Sequence, residues 1–483
     1  MARRVLIRGG TLVDTAGVRR GDVLIEDEHI AAVGALPSED VAGAEVLDAG
    51  GCYVIPGGID VHTHFDLSVG AVRSADDFES GTIAAACGGT TCVLDFAGAG
   101  REPPEEALRT WHAKASGRAA VDYGFHLTVT SVPFDPDEAR RFFTWMVSEG
   151  VTSVKLYMAY PERLMVDDDT LSRAFAAGAA AGVRVCVHAE DGAEVERLIA
   201  EAMARGERGP AVIPEVRPPR VEAEAIRKAS SLAQRAGGAV YAVHLSSAAG
   251  LEAVREARAR GAVVLAETCP QYLFLTADRL EGANEEEAAR FVCAPPLRGD
   301  ADREALWQGL TDGTIQVAAT DHCPFTNADR ARGTVEGQDH WRSFREIPGG
   351  LPGVETRVSL IYQGVREGRL SLERWVDAVA GAPARLFGLD HAKGSLAPGL
   401  DADVVVFDPE THRRLDAAAL HVRTDHSPYE GMEVTGWPAA VLSRGRLVSK
   451  DGEPFEAEPG WGRFVRRRPI SPSSGSAGSS PRP

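Results

Sequence analysis

From about residue 53 to residue 391 the chain alternates short apolar runs with longer stretches of mixed character. The runs are 58–64, 91–96, 124–129, 153–158, 184–188, 239–245, 262–267 and 314–320. All are rich in Val, Ile, Leu and Thr, and none shows the regular polar face of a half-exposed strand. Strands covered on both faces, as in parallel sheets, have this texture. Between them, 77–86, 105–117, 137–149, 168–181, 222–236, 248–260 and 302–309 read as helices, with Asp135-Pro136 and Asp300 as start signals. Eight strands interleaved with helices predict an α/β fold of the (β/α)8, TIM-like barrel type. An open doubly wound sheet is the rival, but no GxGxxG follows an early strand.

The two ends have another pattern. Short alternating segments at 4–8, 22–26 and 30–33, broken by Gly, Asp and Pro, read as small antiparallel strands, and the texture returns at 402–407, 411–413 and 439–442. Neither set buries a core alone, so the ends are expected to pair as one composite β-sandwich. The expected organisation is 1–54 and 392–460 for the sandwich, 55–391 for the barrel, and a flexible tail at 461–483. The tail expectation rests on its run of Ser, Pro, Gly and Ala at 471–480. Arg466-Arg467-Arg468 within it is expected to be solvated or to sit on an acidic neighbour.

Composition narrows the partners. Seventy acidic residues against 52 basic give a formal net charge of −18, which argues against nucleic acid and against a polybasic membrane contact. Small molecules and other subunits are the expected partners. The seven cysteines are scattered and never spaced as CxxC, which favours a reducing compartment over a disulfide framework or a thiolate zinc site. With no apolar leader and no run long enough to span a bilayer, the protein is expected to be cytoplasmic.

The chemistry collects at the C-terminal ends of the predicted strands, where barrel enzymes place catalytic groups. His62 and His64 end the first strand, spaced to enter the barrel mouth together. Lys155, His188, His244 and Asp321 end the fourth, fifth, sixth and eighth. Imidazole is the commonest ligand for a borderline metal such as zinc. By contrast, His29, His112, His340, His391, His412, His421 and His426 fall in helices, loops or end segments and read as surface residues, and His126 reads as a satisfied core histidine.

Lys155 lies in an apolar strand, Ser-Val-Lys-Leu-Tyr-Met. A buried ammonium beside two cations is disfavoured. One resolution is carbamylation by carbon dioxide, which makes the side chain an anionic two-oxygen ligand. The other is a lysine that snorkels or pairs with an acid. Two divalent metals, most simply Zn2+, with a bridging hydroxide would acidify water and polarise a carbonyl. Asp321 is then placed to take the proton of the nucleophile and return it to a leaving nitrogen, so the implied chemistry is hydrolysis of an amide-like bond.

The chain resembles the amidohydrolase superfamily, specifically its dihydropyrimidinase and hydantoinase branch. The resemblance runs through Pro56-Gly57-Gly58-Ile59-Asp60-Val61-His62-Thr63-His64, Lys155-Leu156-Tyr157-Met158-Ala159-Tyr160, Val187-His188-Ala189-Glu190, His244-Leu245-Ser246-Ser247, Glu267-Thr268-Cys269-Pro270-Gln271-Tyr272 and Thr320-Asp321-His322-Cys323-Pro324-Phe325. It covers about residues 3 to 450. The resemblance implies a binuclear zinc centre held by His62, His64, carboxylated Lys155, His188, His244 and Asp321. It also implies hydrolytic opening of a 5,6-dihydropyrimidine or a 5-substituted hydantoin to the N-carbamoyl amino acid, and a homo-oligomer, tetramer or dimer. Tyr160 matches the tyrosine that stabilises the oxyanion in the branch, and Tyr157 with the loop 65–72 is expected to line the pocket for the exocyclic group.

Ala294 stands where the branch usually has Ser, and Gly349 where it has Asn. Those residues hold the substrate ring largely through backbone groups, so both positions remain expected substrate contacts. Asp66 stands where a dihydroorotase would carry a carboxylate-binding Arg. Allantoinase is the alternative activity. A non-catalytic scaffold on the same fold would have lost ligands that this chain keeps.

Overall fold

Gly58–Thr63 (β1) opens a run of eight strands whose order in space follows their order in the chain. The others are Thr90–Gly100 (β2), Asp122–Val129 (β3), Ser153–Tyr157 (β4), Arg184–His188 (β5), Ala239–Ala242 (β6), Val263–Thr268 (β7) and Val317–Ala318 (β8). This computed structural model describes residues 3–100, 102–282, 284–334, 341–455 and 457–470. Every neighbouring pair is parallel. Closure back to β1 comes just past β8, where Thr63 bridges His322 and the His64 N–H donates to the His322 carbonyl at 2.9 Å. The strands are buried on both faces, which explains why their sequences lack a polar stripe.

Helices return the chain between strands, and their ends are written locally. Asp135 accepts the Glu138 N–H at 2.9 Å ahead of the helix Pro136–Ser148. Asp167 accepts the Thr170 N–H at 2.7 Å at the head of Asp168–Ala181, and Gly182 ends that helix in the left-handed region. The last strand is shorter than its apolar run, 314–320. Pairing stops at Ala318, and the chain then turns through Asp321 at φ +54°.

The two ends of the chain pair as expected. Five N-terminal strands and four C-terminal ones form a single nine-stranded sheet, joined where Val404–Leu415 runs antiparallel to Tyr53–Pro56. Val5, Ile7, Val23, Val54, Val404 and Leu442 pack in its own apolar cluster, separate from the barrel core.

The tail expected to be loose from residue 461 is instead docked as far as Ile470. It lies as a strap under the N-terminal ends of the barrel strands. Gly462, Val465, Arg467 and Ile470 donate backbone N–H groups to the carbonyls of Ala119, Tyr123, Gly150 and Gly182 at 2.8–3.0 Å. Arg467, 3% exposed, inserts beneath the barrel, donating to Ser153 Oγ at 2.8 Å and to the Phe125 carbonyl. A polar sequence can dock this way because main-chain groups carry the contact. A Cβ on Gly388 would come within 2.1 Å of the Arg468 carbonyl oxygen, so close approach decides that residue. The Ser-rich stretch 471–480 lies outside the described residues.

Candidate metal centre

His62, His64 and Asp321 meet at the barrel mouth, with one potential ligand atom from each lying within 4.8 Å of the others. Asp321 Oδ1 is 3.1 Å from His62 Nε2 and 3.0 Å from His64 Nε2. Across the mouth, His188 Nδ1 lies 2.9 Å from His244 Nε2. Lys155 is buried between them, its Nζ 4.9 Å from the Phe96 ring centroid and 5.1 Å from that of Tyr157. No hydrogen bond or ion pair of Lys155 occurs among the described residues. All six sequence-predicted ligand positions therefore face one region.

The backbone at this end is held in uncommon conformations. Tyr160, His244 and Asp321 have φ of +66°, +41° and +54°, a region that L side chains rarely adopt and that tends to collect at functional sites. Burial works against the charge of His62, but the Asp321 and Glu267 carboxylates overcome it and raise that imidazole to about 9. Burial lowers His64 to about 4 and Lys155 to about 8. Burial also opposes the charge on Asp321, yet His62 and His64 hold its carboxyl well below the usual range. The side chains present fit a divalent metal. Several borderline nitrogen donors and a carboxylate converge, and the buried Nδ1 atoms of His64 and His244 have no hydrogen-bond partner.

Three supporting residues escaped the sequence reading. Glu267, at the end of β7, accepts from His62 Nδ1–H and from the Tyr241 hydroxyl at 2.8 Å, fixing the tautomer that leaves Nε2 toward the centre. Glu190 accepts from His188 Nε2–H at 2.7 Å, leaving Nδ1 inward. Phe96 lies against the rings of His62, His64 and His126 at centroid distances of 4.6, 5.0 and 4.5 Å. Glu267 and Glu190 both stand inside the motifs quoted above, where a carboxylate at or beside a strand end was the available signal. His126 is a satisfied interior residue, bonded to the Val61 carbonyl at 2.9 Å and to Ser153 Oγ at 2.6 Å. His322 turns away to Asp76 at 3.1 Å. The surface reading fails for His426, 5% exposed beside Asp425, and for His421, half-buried against Glu355 at 2.8 Å, because the connection between the sheet strands Val404–Leu415 and Met432–Ser443 folds back on the barrel.

Above the centre opens a cleft of about 790 Å³. Tyr157, Tyr160, Ala294 and Gly349 line it together with His62, His64, Lys155, His188, His244 and Asp321. Residues 67–72 form one wall, and Ile199, Val216, Phe344 and Ile347 add apolar surface. Phe65, at the start of that loop, is core instead, packed on Phe78.

The sequence model described as "Amidohydrolase family" matches residues 53–448, which include all six of these positions. The chain belongs to the amidohydrolase family. Its relatives place this amidohydrolase in the dihydropyrimidinase and hydantoinase branch. It is 43% identical over 467 residues to a D-hydantoinase of Geobacillus stearothermophilus, covering 96% of each chain. A D-phenylhydantoinase of Escherichia coli O1:K1 is 42% identical, covering 97% of this chain and 99% of the relative. The crystal structure of the dihydropyrimidinase from Brevibacillus agri NCHU1002 superposes with a TM-score of 0.92 at 39% identity, over 97% of this chain and 99% of that one. Among the described residues, no helix of this amidohydrolase is long and apolar enough to cross a membrane.

Proposed function

We propose that this amidohydrolase opens the ring of a cyclic ureide, a 5-substituted hydantoin or a 5,6-dihydropyrimidine, giving the N-carbamoyl amino acid. The observation that carries the reading is the convergence of His62, His64, Lys155, His188, His244 and Asp321 beneath a cleft with an apolar wall. These six residues would hold two divalent ions, most simply Zn2+, with Lys155 as its carbamate. The carbamate is supported by a buried lysine that has no ion pair or hydrogen bond among the described residues and is ringed by ligand-type side chains.

When bound, the ions supply an acidified water and polarise the scissile carbonyl. The protein does the rest. Asp321 accepts a proton of the attacking water and delivers it to the ring nitrogen as the C–N bond breaks, so that nitrogen leaves as the neutral NH2 of the carbamoyl group and the new carboxylic acid ionises to the carboxylate, releasing one proton to solvent. Tyr160 donates its hydroxyl to the oxygen that gains charge. Backbone groups at Ala294 and Gly349 orient the ring, so the loss of larger side chains there widens the cleft without removing the contact. The wall formed by residues 67–72, Ile199 and Phe344 takes the exocyclic substituent.

A panel of dihydrouracil, dihydrothymine, hydantoin, a 5-aryl hydantoin and allantoin, scored by ring opening, tests the reading. Turnover of a hydantoin or dihydropyrimidine supports it. Turnover of allantoin alone would move the assignment to an allantoinase, and turnover of none by metal-loaded protein would overturn it.

A further inference from the structure

The segments that follow β4 and β5 meet around an ion pair that the mechanism above leaves unused. Glu190, two residues past the end of β5, is fully buried. A single oxygen of its carboxylate, Oε2, takes both the Nε2–H of His188 at 2.7 Å and the guanidinium of Arg217. Arg217, whose side chain is 11% exposed, follows the short helix Ile213–Val216. Its guanidinium lies 5.0 Å from the Tyr160 ring centroid, and that ring is 5.4 Å from the His188 ring. His188, Glu190, Arg217 and Tyr160 thus form a closed circuit at the edge of the cleft.

Arg217 is fixed from behind as well. Its carbonyl accepts from the Arg298 guanidinium, and Arg298 Nε donates to Ser246 Oγ at 3.2 Å. The Ser246 N–H and hydroxyl both donate to Glu222 at 2.9 Å. The anchor therefore runs into the loop that carries His244. A buried ion pair gains little net stability, because desolvation offsets most of the attraction. What this one does supply is position. It commits His188 Nε2 to a carboxylate, which leaves Nδ1 for the centre, and it lays a flat cation against a tyrosine whose backbone is held at φ +66°.

We propose that Glu190 and Arg217 are positioning residues that couple the metal ligand His188 to the oxyanion tyrosine Tyr160 through one shared carboxylate oxygen. The Tyr160 arm rests on the ring-opening reading above, whereas the His188 arm requires only that the centre binds metal.

The test measures zinc affinity by competition with a chromophoric chelator, together with kcat and KM on the best substrate of the panel. It compares the parent with Glu190→Gln, Arg217→Ala, Arg217→Lys, Tyr160→Phe and the Arg217→Ala/Tyr160→Phe double variant. Glu190→Gln is expected to weaken zinc binding about 10–100-fold. Arg217→Ala is expected to lower kcat roughly tenfold with KM little changed, and to add nothing to Tyr160→Phe in the double variant. Arg217→Lys re-forms the ion pair but lacks the flat guanidinium, so zinc affinity stays at the parent level while kcat stays low. Unchanged zinc affinity in Glu190→Gln, or effects of Arg217→Ala and Tyr160→Phe that multiply in the double variant, would overturn the coupling. If Glu190→Gln does not fold, Glu190→Asp, which keeps the charge but withdraws the oxygen, gives the same zinc readout. A parent protein that opens no cyclic ureide would sink the ring-opening reading, yet the zinc competition would still decide the His188 arm.

Discussion

Two lysines are buried in this barrel, one at each end of the strands. At the floor, Lys393 Nζ lies 2.8 Å from each of Asp122, Asp401 and Asp403, and Arg444 adds a second cation on Asp122 at 3.1 Å. Burial opposes its charge, but Asp122 and Asp403 hold Lys393 protonated well above the usual lysine range. At the mouth, Lys155 has no such partner among the described residues, and burial lowers it to about 8. The first is a structural cation that ties β3 to the segment leading into the C-terminal sheet. The second is a chemically available amine. The same division runs through each end. The floor is stitched by the strap and by close glycine contacts, while the mouth holds the unpartnered Nδ1 atoms of the candidate ligands His64 and His244 and sets Tyr160, His244 and Asp321 at positive φ. Stability is concentrated at one end of the strands, and reactivity at the other.

That division is sharpest in the lysines themselves. Lys393→Met strands buried carboxylates and is expected to cost about 3–5 kcal/mol in urea unfolding at pH 8. Lys155→Met breaks no ion pair among the described residues and is expected to keep the unfolding midpoint of the metal-free parent while activity falls to background. The pH dependence has a definite sign. Without the lysine, the folded-state pKa values of those carboxylates rise above their unfolded values. The deficit is therefore full above the raised values and narrows as pH falls toward 5. A deficit independent of pH would remove the ionic account of the floor.

Tyr160→Phe probes the mouth with less disturbance. Loss of the hydroxyl is expected to lower kcat about 10²–10³-fold, with the unfolding midpoint preserved. A variant with full kcat would take Tyr160 out of the reaction. Arg467→Ala, at the floor, is the smallest of the four. It removes the donors to Ser153 Oγ and the Phe125 carbonyl and is expected to cost about 1–3 kcal/mol, with kcat per folded molecule near the parent value. A large fall in kcat without loss of stability would mean that the floor reaches the chemistry after all.

Much of the mouth was legible in the chain, and little of the floor. His62 and His64 can be read because the spacing and the strand end coincide. Lys155 can be read because a cation interrupts an apolar run, and the eight runs themselves announce the barrel. The strap escaped because 462–470 has almost no apolar pattern, and it binds through main-chain groups whose partners at Ala119, Gly150 and Gly182 are far away in sequence. Arg217 escaped for a related reason. Its meaning comes from Glu190 and Tyr160, on two other loops, and no local spacing records that meeting. The end of the eighth run misled in a smaller way, since its last residues leave the ladder to deliver Asp321.

The central claim is that the mouth is a two-metal centre bridged by Lys155. Zinc bound per subunit, measured on the purified parent and on Lys155→Ala after identical zinc loading and desalting, tests it most directly. The account predicts about two ions per subunit in the parent and a clear loss in the variant, with the same unfolding transition once both proteins are stripped of metal by a chelator. A fully folded parent that opens hydantoins while holding no metal, or a Lys155→Ala variant that retains both ions, would contradict it.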